Sequence, residues 1–150
     1  MRDPRIKLAV RRLEQSDAAA VQRLYERAVG RAVWLPAEVE ADANFAHVSQ
    51  GEAVFVCHGP EGRLVGLLSA YVPESFIHHV YVDPEFERQG VGTALLDRLC
   101  QLARAQGCLV REPEDSGPPV GYWAFLRDPD GHTLEIAYGQ ELGLAVEHTV

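Results

Sequence analysis

Hydrophobic and polar positions follow three modes along this chain, and each mode predicts its own kind of element. Residues 6–13 alternate, as a half-buried first strand does. Ser16 is placed to cap a helix with Asp17 in its first turn, and Val21, Leu24, Tyr25 and Ala28 recur on one helical face. A second helix is predicted from Pro36, a residue suited to a first helical position, towards Phe45. Residues 53–57 and 64–72 are apolar runs around Gly59-Pro60-Glu61-Gly62, which reads as an antiparallel hairpin. A further strand ends at Val82. From Thr93 the period changes to that of a helix, with Leu95, Leu96, Leu99, Leu102 and Ala103 on one side and a stop near Gly107. A strand over 108–111 follows. Residues 122–127 and 133–138 then flank the turn Asp128-Pro129-Asp130-Gly131, a second hairpin in which Tyr122, Ala124, Leu126, Leu134, Ile136 and Tyr138 alternate.

Composition narrows the class of protein. A length of 150 residues suits a single domain with one core, and 47% hydrophobic with 24% charged residues is ordinary globular usage. No apolar run reaches transmembrane length, and the first residues carry no stretch suited to a secretory signal, so the expectation is a cytoplasmic protein. The formal net charge of −8 argues against a nucleic-acid or membrane-surface binder. Cys57, Cys100 and Cys108 are odd in number and lack metal-type spacing, which fits buried thiols in a reduced compartment.

The chemistry concentrates in residues 76–96. A strand leads through Asp83-Pro84 into Gln89-Gly90-Val91-Gly92-Thr93, which opens the amphipathic helix. Backbone N–H groups at a helix start have no intrahelical acceptors, and glycine lets the main chain approach a ligand closely. With the positive end of the helix dipole, these groups suit a phosphate or pyrophosphate. The spacing is neither that of the dinucleotide fingerprint nor that of the lysine-ending nucleotide loop.

Strand and loop together closely resemble the acetyl-CoA segment of the GCN5-related N-acetyltransferases (GNAT), and the element order matches that family over about residues 6–110. The resemblance implies an α/β fold with a mixed, mostly antiparallel central sheet, flanking helices and a closing C-terminal hairpin. It implies acetyl-CoA as co-substrate, no metal cofactor, and a small-molecule or peptide amine as acceptor. By analogy, Val80, Tyr81 and Val82 meet the pantetheine arm, and Arg88, Gln89, Gly90, Val91, Gly92 and Thr93 hold the pyrophosphate. Glu87 stands where a carboxylate is unfavourable unless it turns outward or pairs with Arg88.

Acetyl transfer needs a polarised thioester carbonyl, a deprotonated amine and a route for the leaving thiolate. His78 and His79 are the candidate bases. On a regular strand they point to opposite faces, with His78 sharing that of Val80 and Val82. The helix that brings the family's thiolate-protonating tyrosine is missing from the pattern, leaving Tyr122 and Tyr138 as candidate substitutes. Glu112, Glu114 and Asp115 read as an acidic loop suited to a cationic acceptor.

Residues 111–140 resemble instead the C-terminal end of a vicinal oxygen chelate (glyoxalase-like) protein, through Asp128-Pro129-Asp130-Gly131 and Leu134-Glu135-Ile136. In that family the residue matching Glu135 is a metal ligand. Here only His132 lies nearby, so the tail is expected to complete the sheet and bind no metal. Its edge could pair with a second copy in a homodimer. Two alternatives stand beside the acetyltransferase reading: an acyl-CoA-binding module without turnover, and a glyoxalase-like metalloprotein.

Overall fold

Four antiparallel strands in the order β1-β2-β3-β4 form the first sheet: β1 (Ala9–Arg12), β2 (Ala53–His58), β3 (Leu64–Tyr71) and β4 (Phe76–Val82). The structure, a computed structural model, describes residues 6–33, 35–72, 76–118, 120–127 and 130–138. It divides into two compact units, residues 1–95 and 96–150.

In the first unit β2 and β3 are buried along nearly their whole length, which is why both read as apolar runs rather than alternations. Helix α1 (Ala18–Arg31) presents Val21, Leu24, Tyr25 and Val29 to a core shared with Phe45, Val54, Val56, Leu64 and Leu67. Ser16 is not its cap. It lies inside the short 3-10 turn Gln15–Asp17, and the buried Asp17 carboxylate does the anchoring. That carboxylate accepts the Glu14 N–H at 2.9 Å and both Arg11 terminal nitrogens at 2.6 and 2.9 Å.

The predicted second helix breaks into α2 (Ala37–Ala41) and α3 (Phe45–Val48). Asn44 accepts the His47 N–H at 3.1 Å and so restarts the chain as a helix. Gln22 of α1 bonds Ala43 O and Phe45 N–H, which seats Phe45 in the core. Helix α4 (Val91–Ala105) begins at Val91 rather than Thr93. Its first turn packs on β3 at Gly66, where an added Cβ would come within 2.6 Å of Val91 Cγ1.

The second unit holds the rest of α4 and a three-stranded sheet, β5 (Leu109–Asp115), β6 (Tyr122–Arg127) and β7 (Thr133–Tyr138). The tail hairpin forms with the expected bounds, Tyr122 opposite Tyr138 and Arg127 opposite Thr133. It pairs with β5 rather than with the four-stranded sheet, and all the described ladders are antiparallel. β5 is longer than predicted, so Glu112, Glu114 and Asp115 stand on a strand and not in a loop. Two register irregularities against β6 accommodate this polar, irregular stretch. Arg104 of α4 holds Glu112, its Nε donating to Oε1 at 3.0 Å.

Candidate active site

A β-bulge decides where the two histidines go. Ser69 of β3 pairs with His79, but the next residue, Ala70, pairs with Ile77, so the register shifts across His78. The shift breaks the strict alternation of faces. The expectation that His78 and His79 point to opposite faces is therefore corrected: their rings lie 3.8 Å apart and are inclined by only 32°.

Their environments differ nonetheless. His79 is buried at 6% exposure among Tyr25, Phe45 and Tyr81, and its Nδ1 shares a 2.8 Å hydrogen bond with Ser69 Oγ. Burial, reinforced by the neighbouring His78, pushes its imidazole down to about 4. His78 is exposed, and its Nδ1–H donates to Glu52 Oε1 at 2.6 Å. Glu52 stands just before β2, opposite the bulge, with a side chain only 6% exposed.

Neither Glu52 nor Ser69 was legible as a site residue. Ser69 did leave a signal as the one polar residue inside the apolar run of β3, since a buried hydroxyl needs a partner. Glu52 left none. A single carboxylate before a strand is ordinary surface chemistry until the fold buries it.

The turn after β4 is fixed by Asp83. Its carboxylate is 2% exposed and accepts Nη2 of Arg27 and Nη2 of Arg63, each at 2.9 Å, together with the Glu85 N–H at 3.1 Å. Its own N–H donates to Val65 O at 2.8 Å, which ties the turn to β3. A buried charge held by two guanidiniums makes this a rigid corner.

Beyond it, Arg88 and Gly90 take left-handed backbone with φ of 63° and 85°. Gln89 bonds back to Glu85 O at 2.9 Å. Ala94 N–H donates to Gly90 O at 2.9 Å, so the N–H groups of Val91, Gly92 and Thr93 precede the first intrahelical acceptor. An added Cβ at Gly90 would meet nothing within 4 Å, which leaves open space over the helix start. Glu87 does not pair with Arg88. It turns outward to Arg31, 3.8 Å away.

Val80, Tyr81 and Val82 pair with Leu68, Leu67 and Gly66, and β3 is the only ladder partner of β4 among the described residues. β4 thus offers a strand edge that runs directly into the glycine loop. In the second unit Tyr122 is buried at 3% exposure. Its hydroxyl donates to Asp97 Oδ1 at 3.0 Å and lies 3.5 Å from Cys100 Sγ. Burial first, and then the Cys100 and Asp97 neighbours, raise its pKa far above that of a free phenol. Tyr138 ends β7, and its side chain lies outside the described residues.

Residues 18–116 match the acetyltransferase (GNAT) family. This chain belongs to the GNAT family. The match takes in β4, the glycine loop and α4. A 50-residue stretch is 52% identical to the uncharacterised protein PA2024 of Pseudomonas aeruginosa and covers 33% of this chain and 36% of that one. Another of 61 residues is 38% identical to a glucosamine 6-phosphate N-acetyltransferase of Trypanosoma brucei brucei, over 35% of this chain and 42% of that one. These curated relatives are thus matched over less than half their length. A solved GCN5-related N-acetyltransferase from Rhodopseudomonas palustris shares the GNAT fold, with a TM-score of 0.56 at 21% identity over 87% of this chain and 95% of that one.

Proposed function

We propose that this GNAT-family chain transfers the acetyl group of acetyl-CoA to a primary amine of a small molecule or peptide by direct attack. The observation that carries this is the edge strand β4 running into an open, glycine-bearing start of α4. The open space at Gly90 and the N–H groups of residues 91–93 fit a pyrophosphate, where a side chain in place of hydrogen would intrude. The free edge at Val80, Tyr81 and Val82 offers main-chain groups to the amide-bearing pantetheine arm, and an N–H there can polarise the thioester carbonyl. Arg88 and Gln89 flank the cradle, with Glu87 drawn away by Arg31.

The amine nitrogen attacks the thioester carbon, the C–S bond breaks, and the amine proton passes to His78. The Glu52 carboxylate orients His78 by holding Nδ1–H, which assigns the proton transfer to Nε2. His79 is too weak a base at neutral pH and supports the site through Ser69 and the surrounding rings. Tyr122 is a structural residue in this reading, its proton committed to Asp97, and the leaving thiolate takes its proton from solvent.

We read both compact units as parts of one acetyltransferase domain, because the family match crosses their boundary. A cytoplasmic enzyme that pairs as a homodimer through the β7 edge remains part of the proposal. No helix among the described residues is long and apolar enough to cross a membrane.

The commitment of Tyr122 favours one second reading, an acyl-CoA-binding module without turnover. Mass-spectrometric detection of acetylated product from a panel of primary amines, beside the thermal shift given by acetyl-CoA, separates the two. A shift with acetylated product supports the enzyme, a shift without product supports the module, and no shift at millimolar acetyl-CoA overturns both. The glyoxalase-like alternative gains nothing from the structure: Glu135 is exposed on β7 and belongs to no cluster of metal donors among the described residues.

A further inference from the structure

One oxygen of Glu52 has a partner and the other has none. Oε1 accepts from His78 Nδ1 at 2.6 Å, whereas Oε2 is buried without a hydrogen bond. The side chain is 6% exposed, so water does not compensate the orphaned oxygen. His79 Nδ1, 3.9 Å from it, is engaged by Ser69 Oγ.

A carboxylate oxygen of Glu52 and one ring nitrogen from each histidine all lie within 4.8 Å of one another, the only such convergence among the described residues. The register shift across His78 creates it.

We propose that Glu52, His78 and His79 bind a divalent transition-metal ion of the zinc class. Two imidazoles and one carboxylate are a ligand set that zinc takes, with a fourth position left to water. Ligand atoms around a tetrahedral zinc lie about 3.3 Å apart when the bonds are about 2.0–2.1 Å. His78 Nδ1 already stands 2.6 Å from Glu52 Oε1, and a small shift of the carboxylate and the two rings brings His79, 3.9 Å from Oε2, to that spacing. The ion replaces the proton shared by His78 Nδ1 and Glu52 Oε1, and that proton is released to solvent. Ser69 Oγ holds His79 Nδ1, so ligation through Nε2 keeps that bond as an outer one that orients the ring, whereas ligation through Nδ1 displaces it. An ammonium group, by contrast, would draw on the carboxylate alone.

The ion is not a cofactor of acetyl transfer. It occupies His78 and so inhibits the reaction, a consequence that rests on the acetyltransferase reading, while metal uptake itself does not.

The test is titration of the chelator-treated full chain with Zn2+ and Co2+, without CoA or amine, following Co2+ absorption and bound metal after gel filtration. One equivalent is expected, with affinity reduced at least about tenfold in Glu52→Gln and in His78→Gln, and unchanged in His47→Gln. His78 is exposed, so its variant remains informative even if Glu52→Gln fails to fold. No saturable uptake, or uptake that neither substitution alters, overturns the proposal. Acetyl-CoA binding by the metal-free protein is measured separately, so failure of the metal site and failure of the enzymatic reading are told apart.

Discussion

Gly66 on β3 lies against Val91, the first residue of α4, so closely that a Cβ there would come within 2.6 Å of Val91 Cγ1 and 3.2 Å of Tyr81 O. This contact seats the helix start on the sheet beside β4, where the glycine loop must present its N–H groups. Gly66→Ala should therefore cost about 1–3 kcal/mol by overpacking, and weaken acetyl-CoA binding by shifting the first turn of α4. Urea unfolding and CoA titration check both. Unchanged stability would mean that helix and sheet are not in firm contact here.

At Gly90 the reasoning concerns a ligand rather than packing. Its φ of 85° strains any other residue, and the space around a new Cβ is open. Gly90→Asp should abolish the thermal stabilisation by acetyl-CoA, because a carboxylate then repels the pyrophosphate. Native-state ligand binding is what raises the melting temperature. Gly90→Ala should fall between the two. Equal shifts in wild type and Gly90→Asp would remove the pyrophosphate from this loop.

The two histidines should separate in their effect on turnover. His78→Ala is expected to lower kcat by about 10²–10⁴-fold, the usual worth of a positioned base, and also to destabilise the fold, because the buried Glu52 carboxylate loses its hydrogen bond. His79→Ala leaves the buried Ser69 hydroxyl without its partner, and should cost about 1–3 kcal/mol of stability, with a smaller effect on kcat. Turnover with an amine substrate, read beside urea unfolding, distinguishes the two patterns. Turnover surviving in His78→Ala would show that catalysis rests on positioning and water.

Arg11 and Asp17 predict an acid-sensitive contribution to stability. The Arg11 hydrogen bonds lead the causes that hold the Asp17 carboxyl below its ordinary pKa, with help from the Glu14 N–H, Arg11's charge and the nearby His58, against burial, which raises it. A carboxyl whose folded pKa is depressed stabilises the fold above its unfolded value of about 3.9. As pH falls through the lower folded value, that stability is lost. Arg11→Met should therefore be less stable than wild type at neutral pH, with the gap narrowing below about pH 4. A gap that stays constant down to pH 2.5 would mean that Asp17 keeps its depressed pKa without Arg11.

Much of the architecture is determined by local sequence. The apolar runs of β2 and β3, the bounds of both tail strands and the strand–loop–helix of residues 76–105 were all legible, because each depends on periodicity, turn residues or glycine within a short window. So was the family, whose motif lies in that last segment. The arrangement of the candidate site was not.

Alternation along β4 sends His78 and His79 to opposite faces, and only the mismatch with β3, two segments pairing out of step, brings their rings together. Glu52 becomes a buried partner of His78 because the chain places the start of β2 beside that bulge. Asp17 takes the anchoring role from Ser16 because Arg11 on β1 reaches it. Periodicity is a property of one segment, whereas register and the burial of a charge arise between segments, so only the tertiary structure could decide them.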